Sequence, residues 1–311
     1  MSGPVILYAL LFLMVAFWSG NYIAGKIALR EFSPMLLAGM RIGFAGLMML
    51  PLYVGQAILP ADALSSASKP AESRLGARIG CPTGWHDIAQ LLLLGLFGVT
   101  LNQVFFVVGL SRTSVAHAAI LIGLTPIQVL IIARLRGQER ITARKAAGMA
   151  IALAGVAVLR AFDPPGGAGA TWSGDFIVLL AGLSFALFTV FGKEVTGQYS
   201  NITMNTYAYV GGGLALLPLT LWEAAREPLA HVSAEAWLAA IYMALFPSVI
   251  AYLIYYHALA HMTASRVAAF SYLQPVFASA MGVVMLGESL GPPVIAGGAV
   301  ILAGVYLAER G

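Results

Sequence analysis

Eleven polar or aromatic side chains lie near the middle of otherwise apolar runs of this sequence. A polar group in a hydrocarbon layer is costly, so such residues usually face a cavity or a polar partner. Amides and hydroxyls among aromatic rings suit a neutral or zwitterionic amphipathic solute, because rings cover its apolar part while amides hold its polar end. The alternative is hydrogen bonding between helices, worth about 0.6 kcal/mol per pair. The candidate substrate-binding residues are Trp18, Asn21, Tyr22, Asn102, Gln103, Thr125, Gln128, Tyr252, Ser271, Tyr272 and Gln274.

Four cations in or beside these runs, Lys26, Arg41, Lys193 and Arg266, are the candidate gating residues. Lys26 and Arg41 are predicted in the outer third of a membrane, where they would meet an anionic group or gate the outer mouth. Lys193 is predicted near the inner mouth, together with Arg266. Long cations near helix ends also commonly extend to the interface. That alternative applies best to Lys193 and Arg266, whereas Arg41 lies deeper.

Acidic side chains are not predicted near the middle of the membrane. Glu139 and Glu288 fall in tight turns and are interpreted as residues that lock those turns. Carboxylates are common proton relays in pumps, so the pattern leaves facilitated diffusion, exchange, or protonation of His117 or His257. The single cysteine, Cys81, excludes an internal disulfide and a thiolate metal cluster. We predict no metal and no other cofactor.

The elements that position these residues are ten apolar runs, each close to the roughly 20 residues that a membrane-spanning helix needs. Hydrophobic residues make up 60% of the 311 residues and charged residues 10%, which excludes a soluble protein. We therefore predict an all-α integral membrane fold. The one long connection, 56–85, is predicted to be a mobile cytoplasmic loop. The runs are Val5–Leu29, Met35–Val54, Ile88–Leu110, Ser114–Ala133, Ala143–Leu159, Phe176–Val195, Thr203–Trp222, Trp237–Leu259, Val267–Gly287 and Val294–Ala308.

The distribution of Lys and Arg predicts the orientation. With the N-terminus inside, the inner connections and the C-terminus hold 11 of these cations and the outer connections 5, with Arg41 alone inside a span. The positive-inside rule therefore predicts that both termini are cytoplasmic.

The chain contains an internal repeat. Over the last three spans of each half, identical residues recur 149 positions apart, among them Pro126 with Pro275 and Gly155 with Gly304. Over the first two spans the separation is 167, as for Lys26 with Lys193. Five spans per half is an odd number, so the copies must face opposite ways. We predict two inverted five-helix repeats, residues 1–161 and 162–311, with the substrate near the midplane between them.

The opening Phe17–Lys26, followed by Pro34 and Arg41, resembles the drug/metabolite transporter superfamily, and specifically its EamA family. Ser114–Leu159 and Thr263–Tyr306 are similar to its duplicated signature: a small-residue run, a mid-helix proline, a Gly-Glu-type turn and a Gly-rich last helix. The first turn, Gly137-Gln138-Glu139, is one residue longer than the second, Gly287-Glu288. The resemblance implies ten spans, cytoplasmic termini, alternating access, and export or exchange of amino acids, related metabolites or drugs. The extended loop 56–85 departs from the compact family pattern.

The leading hypothesis is an inner-membrane carrier for amino acids or similar amphipathic solutes. One alternative is a phosphorylated-solute or nucleotide-sugar-type exchanger, which needs cations converging on the cavity. The other is an integral membrane enzyme, which needs a nucleophile with its base, paired carboxylates or a metal cluster at membrane depth. The expected partners are a small-molecule substrate and the lipid bilayer, with no nucleic acid. The small-residue faces at Gly39 and Gly148 permit packing within a monomer or a homodimer contact.

Overall fold

The computed structural model describes residues 3–58, 84–138, 140–161, 171–195, 198–227, 229–262, 267, 270, 273–288 and 290–309. Most of the predicted loop 56–85 therefore lies outside the described residues. So do Glu139 and three of the candidate site residues, Arg266, Ser271 and Tyr272.

The described chain is all-α and contains each of the ten predicted helices. Serine side chains begin four of them: Ser33, Ser114, Ser200 and Ser233 each accept a hydrogen bond from the backbone N–H three residues later, as N-caps do. In chain order the helices are α1 Gly3–Ala28, α2 Pro34–Ile58, α3 Trp85–Leu110, α4 Val115–Leu135, α5 Ala143–Ala161, α6 Trp172–Val195, α7 Asn201–Arg226, α8 Ala234–His261, α9 Leu273–Leu286 and α10 Pro292–Glu309.

Six of these helices, α1, α2, α3, α4, α6 and α8, are each long and apolar enough to cross a membrane. The other four described helices are shorter or more polar. α9 has 14 residues, which extend about 21 Å against a hydrocarbon core of about 30 Å. α5 begins with Arg144 and Lys145, and α7 carries Asn205 and Thr206. The chain is thus an integral membrane protein in which some helices rely on their neighbours to cover polar groups.

Three of the helices depart from regular α geometry. α3 contains a π segment at Leu96–Leu101 and α8 contains one at Leu245–Ile250, 149 residues further along the chain. Such segments shift backbone carbonyls out of the regular ladder and are frequent at functional sites. α4 is interrupted at Gly123 and Leu124 and resumes at Thr125.

Two helix pairs, α5 with α10 and α2 with α7, pack closely and antiparallel. A methyl group on Gly155 would lie 3.0 Å from the carbonyl oxygen of Gly297, and one on Gly304 would lie 2.6 Å from that of Gly148. If 149 is added to residue 155 and subtracted from residue 297, the first contact becomes the second, with the two helices exchanged.

The pair α2 and α7 shows the same relation at a spacing of 167 residues. An added methyl group on Gly46 would contact the carbonyl of Tyr209, and one on Gly213 would contact the backbone of Gly43 and Ile42. In each pair the same contact therefore occurs twice, with the two helices exchanged.

Candidate functional site

A cavity lies between seven helices, α1, α2, α3, α4, α6, α8 and α9, so both halves of the chain contribute to it. The space between its lining residues, counted together with the open mouth, is about 520 Å³. Seven of the eleven candidate binding residues and one candidate gating residue, Arg41, line it. The described lining residues are Trp18, Asn21, Tyr22, Arg41, Asn102, Phe106, Ile122, Thr125, Phe185, Tyr252 and Gln274.

Three of these residues, Trp18, Phe185 and Tyr252, form an aromatic wall. Their ring centroids lie 5.6 Å (Trp18 to Phe185), 6.0 Å (Trp18 to Tyr252) and 6.1 Å (Phe185 to Tyr252) apart, with edge-to-face geometry. Such contacts hold large rings in one arrangement and favour apolar or aromatic groups beside them.

The two π segments fix this wall. Tyr252 donates its hydroxyl hydrogen to the carbonyl oxygen of Gly98 at 2.6 Å, and Trp18 Nε1 donates to the carbonyl oxygen of Pro247 at 3.1 Å. Gly98 and Pro247 are 149 residues apart and belong to the π segments of α3 and α8. In each half, a carbonyl of the irregular turn thus orients an aromatic ring that lines the cavity.

Polar atoms in the lining are only partly satisfied. Tyr22 donates its hydroxyl to Gln274 Oε1 at 3.3 Å, and Asn102 Nδ2 donates to the carbonyl of Ala181 at 2.9 Å. Asn21 Oδ1 and Thr125 Oγ1 are buried without a hydrogen-bond partner among the described residues. An unpaired buried polar atom costs about 1–3 kcal/mol, so these two atoms are suited to bind water or a polar group of a solute.

Arg41 is the one charged residue among the described lining residues, and only 3% of it is exposed. Its Nε donates to Ser248 Oγ at 2.9 Å, and Ser248 in turn donates to the carbonyl of Met243 at 2.7 Å. Its Nη1 has no hydrogen-bond partner among the described residues. The structure therefore places a buried guanidinium beside the aromatic wall with one nitrogen unpaired.

Two candidate binding residues, Gln103 and Gln128, are buried or half-buried but absent from the described cavity lining. Gln103 Nε2 donates to the hydroxyl of Tyr209 at 2.6 Å, and Gln128 Nε2 donates to the carbonyl of Leu179 at 3.2 Å. Each side chain therefore forms a hydrogen bond from a helix of the first half to a helix of the second half. Hydrogen bonding between helices was the alternative to substrate binding that the sequence left open for these residues.

The repeat-related lysines make equivalent contacts at the C-terminal ends of α3 and α8. Lys26 Nζ donates to the carbonyl of Thr113 at 2.5 Å, and Lys193 Nζ donates to the carbonyls of Leu259 at 2.5 Å and Met262 at 3.0 Å. Thr113 and Met262 are again 149 residues apart. Each lysine binds free carbonyls where a long helix, α3 or α8, ends, a position that favours a cation. The structure does not bring either lysine together with Arg41 in the cavity.

Three lining residues, Phe106, Ile122 and Phe185, are not among the sequence candidates. The repeat could have identified Phe185, because the 167-residue spacing makes it the equivalent of Trp18, which is a candidate binding residue. Phe106 and Ile122 carry no such signal, since an apolar residue in an apolar run is indistinguishable from a lipid-facing one.

Carboxylates join the two halves at the end of the bundle where α1 and α3 end, which we call the carboxylate end. Asp175 Oδ1 accepts from Thr113 Oγ1 at 2.6 Å, and its other oxygen lies 3.4 Å from His117 Nδ1. Glu288 accepts the backbone N–H of Val115 at 2.9 Å, at the N-terminus of α4, where negative charge is favoured. The structure thus gives Glu288 a contact with the opposite half. The sequence missed Asp175, which directly precedes a predicted span.

Glu31, in the loop after α1, accepts hydrogen bonds from Ser233 Oγ at 2.5 Å and from its backbone N–H at 2.6 Å. These bonds, that of the side chain first, lower the pKa of Glu31 below the usual glutamate value. A carboxyl group whose pKa is lower in the folded state stabilises that state at neutral pH, and this contribution is lost as the pH falls through the folded-state pKa.

We therefore expect the melting-temperature difference between wild type and Glu31→Gln to be present at pH 7 and to shrink on acidification below the usual glutamate range. Thermal unfolding in detergent between pH 7 and pH 3 measures it. Glu235→Gln, in the first turn of α8, removes a nearby carboxylate but leaves the Ser233 bonds intact. A pH-independent difference for Glu31→Gln, or an equal one for Glu235→Gln, would contradict the assigned contact.

Comparison with known proteins agrees with this architecture. A family model described as the EamA-like transporter family matches residues 5–161 and 172–309, which covers both halves. An uncharacterized transporter of Archaeoglobus fulgidus is 29% identical over 303 residues, covering 97% of this chain and 98% of that protein. A probable terminal-alkyne amino-acid exporter of Streptantibioticus cattleyicolor is 28% identical over 271 residues, covering 87% of each chain.

A solved crystal structure superposes with a TM-score of 0.65 at 18% identity, covering 98% of this chain and 96% of the other. At this identity the likeness concerns the fold.

Proposed function

Because the chain belongs to the EamA-like transporter family, we propose that it is a secondary transporter for amino acids or similar small amphipathic metabolites and drugs. It acts in the inner, cytoplasmic membrane as an exporter or exchanger, with both termini cytoplasmic. The observation that carries the proposal is the cavity between the two halves, in which an aromatic wall faces unpaired polar atoms. That combination suits a solute with one apolar and one polar end.

The proposed mechanism is alternating access between two inverted five-helix halves, 1–161 and 162–311, with ten spans in total. It is supported by the π segments at equivalent positions and by the antiparallel packing of α2 with α7 and of α5 with α10. Both halves line the cavity, so rocking one against the other would change the side from which it opens. The contacts of Asp175 and Glu288 join the two halves at the carboxylate end.

Two observations favour amino acids over the other proposed substrates. A relative covering 87% of the chain is named as a probable amino-acid exporter, and the aromatic wall beside amide and hydroxyl groups matches an amino acid with an apolar side chain. A phosphorylated solute fits less well, because such a ligand needs several converging cations. Among the described lining residues Arg41 is the one cation, and Lys193 is bonded to backbone carbonyls.

The experiment that tests this function is transport by the purified protein in liposomes. We expect saturable uptake of at least one labelled amino acid with an apolar side chain, and faster uptake when the vesicles contain the same amino acid unlabelled, as an exchanger gives. Protein-free liposomes are the control. Absence of protein-dependent flux across amino acids, amphipathic drugs and sugar phosphates would reject the proposal, and flux of sugar phosphates alone would favour the phosphorylated-solute exchanger.

A further inference from the structure

We propose that Arg41 binds the carboxylate of the transported solute, so that the cargo class is amphipathic monocarboxylates whose apolar part lies against the aromatic wall. The inference rests on the proposed transport function and makes it more specific. It places the carboxylate of the solute at Arg41. The apolar part of the solute then lies against Trp18, Phe185 and Tyr252.

The first argument is charge balance. Arg41 is 97% buried at membrane depth, and no carboxylate of the described residues lies within ion-pair distance of it. The aromatic residues near its guanidinium, Tyr209 and Tyr252, are neutral phenols, and its bonded partner is a serine hydroxyl. A buried charge without a counter-ion is among the most costly arrangements in a membrane protein and usually marks a function. An anion entering the cavity would supply the missing charge.

The second argument is the fixed geometry of the guanidinium. The chain of bonds from Arg41 Nε to Ser248 Oγ and on to the carbonyl of Met243 ties the side chain to the start of the π segment of α8. Nη1 is left without a partner in a residue that lines the cavity. A guanidinium held through one nitrogen and unpaired at another is pre-organised to donate to a carboxylate oxygen, because little side-chain entropy remains to be lost on binding. Ser248 is then a positioning residue.

The third argument selects a carboxylate over a phosphate. A phosphate dianion needs more than one cation to leave water, whereas a carboxylate monoanion is balanced by a single guanidinium. Lys26 and Lys193 are bonded to the carbonyls of Thr113 and Leu259 and are absent from the described lining. The unpaired Asn21 Oδ1 is a hydrogen-bond acceptor that can receive an ammonium group. It is uncharged, so the amino group is expected to matter less than the carboxylate.

The test compares L-phenylalanine with two probes that each differ from it by one group, L-phenylalaninamide without the carboxylate and 3-phenylpropionate without the amino group. Phenyl phosphate is the fourth probe and presents a phosphate beside the same ring. Binding to the purified full chain is measured by calorimetry, and transport by competition in liposomes. We expect phenylalanine and 3-phenylpropionate to bind at least about tenfold more tightly than the amide, because the amide cannot accept the charged hydrogen bond from Arg41 in this buried site. Phenyl phosphate should bind no better than the amide.

The variants separate Arg41 from general effects of charge. Arg41→Gln should lower the affinity for the two carboxylates at least about tenfold and leave the amide within about threefold, thereby removing the preference. Arg41→Lys should keep part of the preference, because it keeps the charge. Arg30→Gln, an exposed cation near the end of α1, is the matched control and should behave as wild type.

Three results would overturn the inference: equal binding of the acid and the amide by wild type, a similar loss of both in folded Arg41→Gln, or a preference for phenyl phosphate. Transport of L-phenylalaninamide at the rate of the acids would likewise reject the role of Arg41 while leaving the transport function intact. If none of the aromatic probes, amino acids or drugs is bound or moved, both proposals fall. Should Arg41→Gln not fold, the acid-to-amide ratios of wild type and Arg41→Lys still decide the question.

Discussion

Replacing Trp18 with alanine is expected to lower transport of an aromatic or branched-chain amino acid about thirtyfold. Trp18 forms one face of the aromatic wall and is bonded through Nε1 to the carbonyl of Pro247. Truncating a buried aromatic residue that contacts a ligand costs about 2 kcal/mol or more, and each 1.4 kcal/mol corresponds to a tenfold change in affinity. The initial rate of uptake at low substrate concentration, normalised to folded protein, measures the effect.

Phe17 supplies a matched control for this substitution. It is the preceding residue of α1 and packs on Phe246 with ring centroids 5.0 Å apart, and it is absent from the described cavity lining. Phe17→Ala removes a ring of similar size from the same helix, so we expect less than about a threefold change in transport. Trp18→Phe keeps a ring but loses the bond to Pro247, so its defect should fall between the other two. Equal defects in Trp18→Ala and Phe17→Ala would place the substrate path elsewhere.

The second large effect is expected for leucine at Gly304, which should prevent stable packing of α10 on α5. A methyl group at Gly304 would already lie 2.6 Å from the carbonyl oxygen of Gly148 and 2.9 Å from the Cα of Ala152, and both are backbone atoms. A larger side chain must therefore push the helices apart. Overpacking costs about 1–3 kcal/mol, and occasionally more. Close approach of small residues is a main source of helix association in lipid.

The repeat provides an internal check on Gly304. Gly155→Leu meets the backbone nitrogen of Ile301 at 2.7 Å, the equivalent contact with the helices exchanged, and should destabilise the protein to a similar extent. Gly55→Leu, at a position with no atom within 4 Å of an added methyl group, is the matched control and should melt close to wild type. Thermal unfolding and size-exclusion profiles in detergent measure all three. Wild-type melting of Gly304→Leu would mean that α5 and α10 do not pack in this way.

The sequence was sufficient to predict the helices and most of the described cavity lining, because depth along a helix follows from residue number. Trp18, Asn21 and Tyr252 lie near the middle of their apolar runs, and the structure places all three in the lining. Direction around the helix axis was harder to predict. Thr125 lines the cavity, whereas Gln128, one turn later, bonds to the carbonyl of Leu179 on α6. A polar side chain at a given depth can point to the cavity or to a hydrogen-bond partner on any of several neighbouring helices. Its depth in the membrane therefore does not predict which of these it contacts.

The amino-acid sequence by itself determined the all-helical membrane class, the positions of the ten helices and the two registers of the repeat. Apolar runs of this length satisfy their backbone groups in lipid only as helices, so their pattern is a local property of the chain. Tertiary structure decided which polar atoms keep a partner and which do not. The carbonyls of Gly98 and Pro247 bind aromatic side chains, and Arg41 binds Ser248, through contacts between residues more than a hundred positions apart. The same long-range packing leaves Arg41 Nη1 without a partner among the described residues. Such contacts form only when α1, α2, α3 and α8 pack together, and no local pattern encodes them.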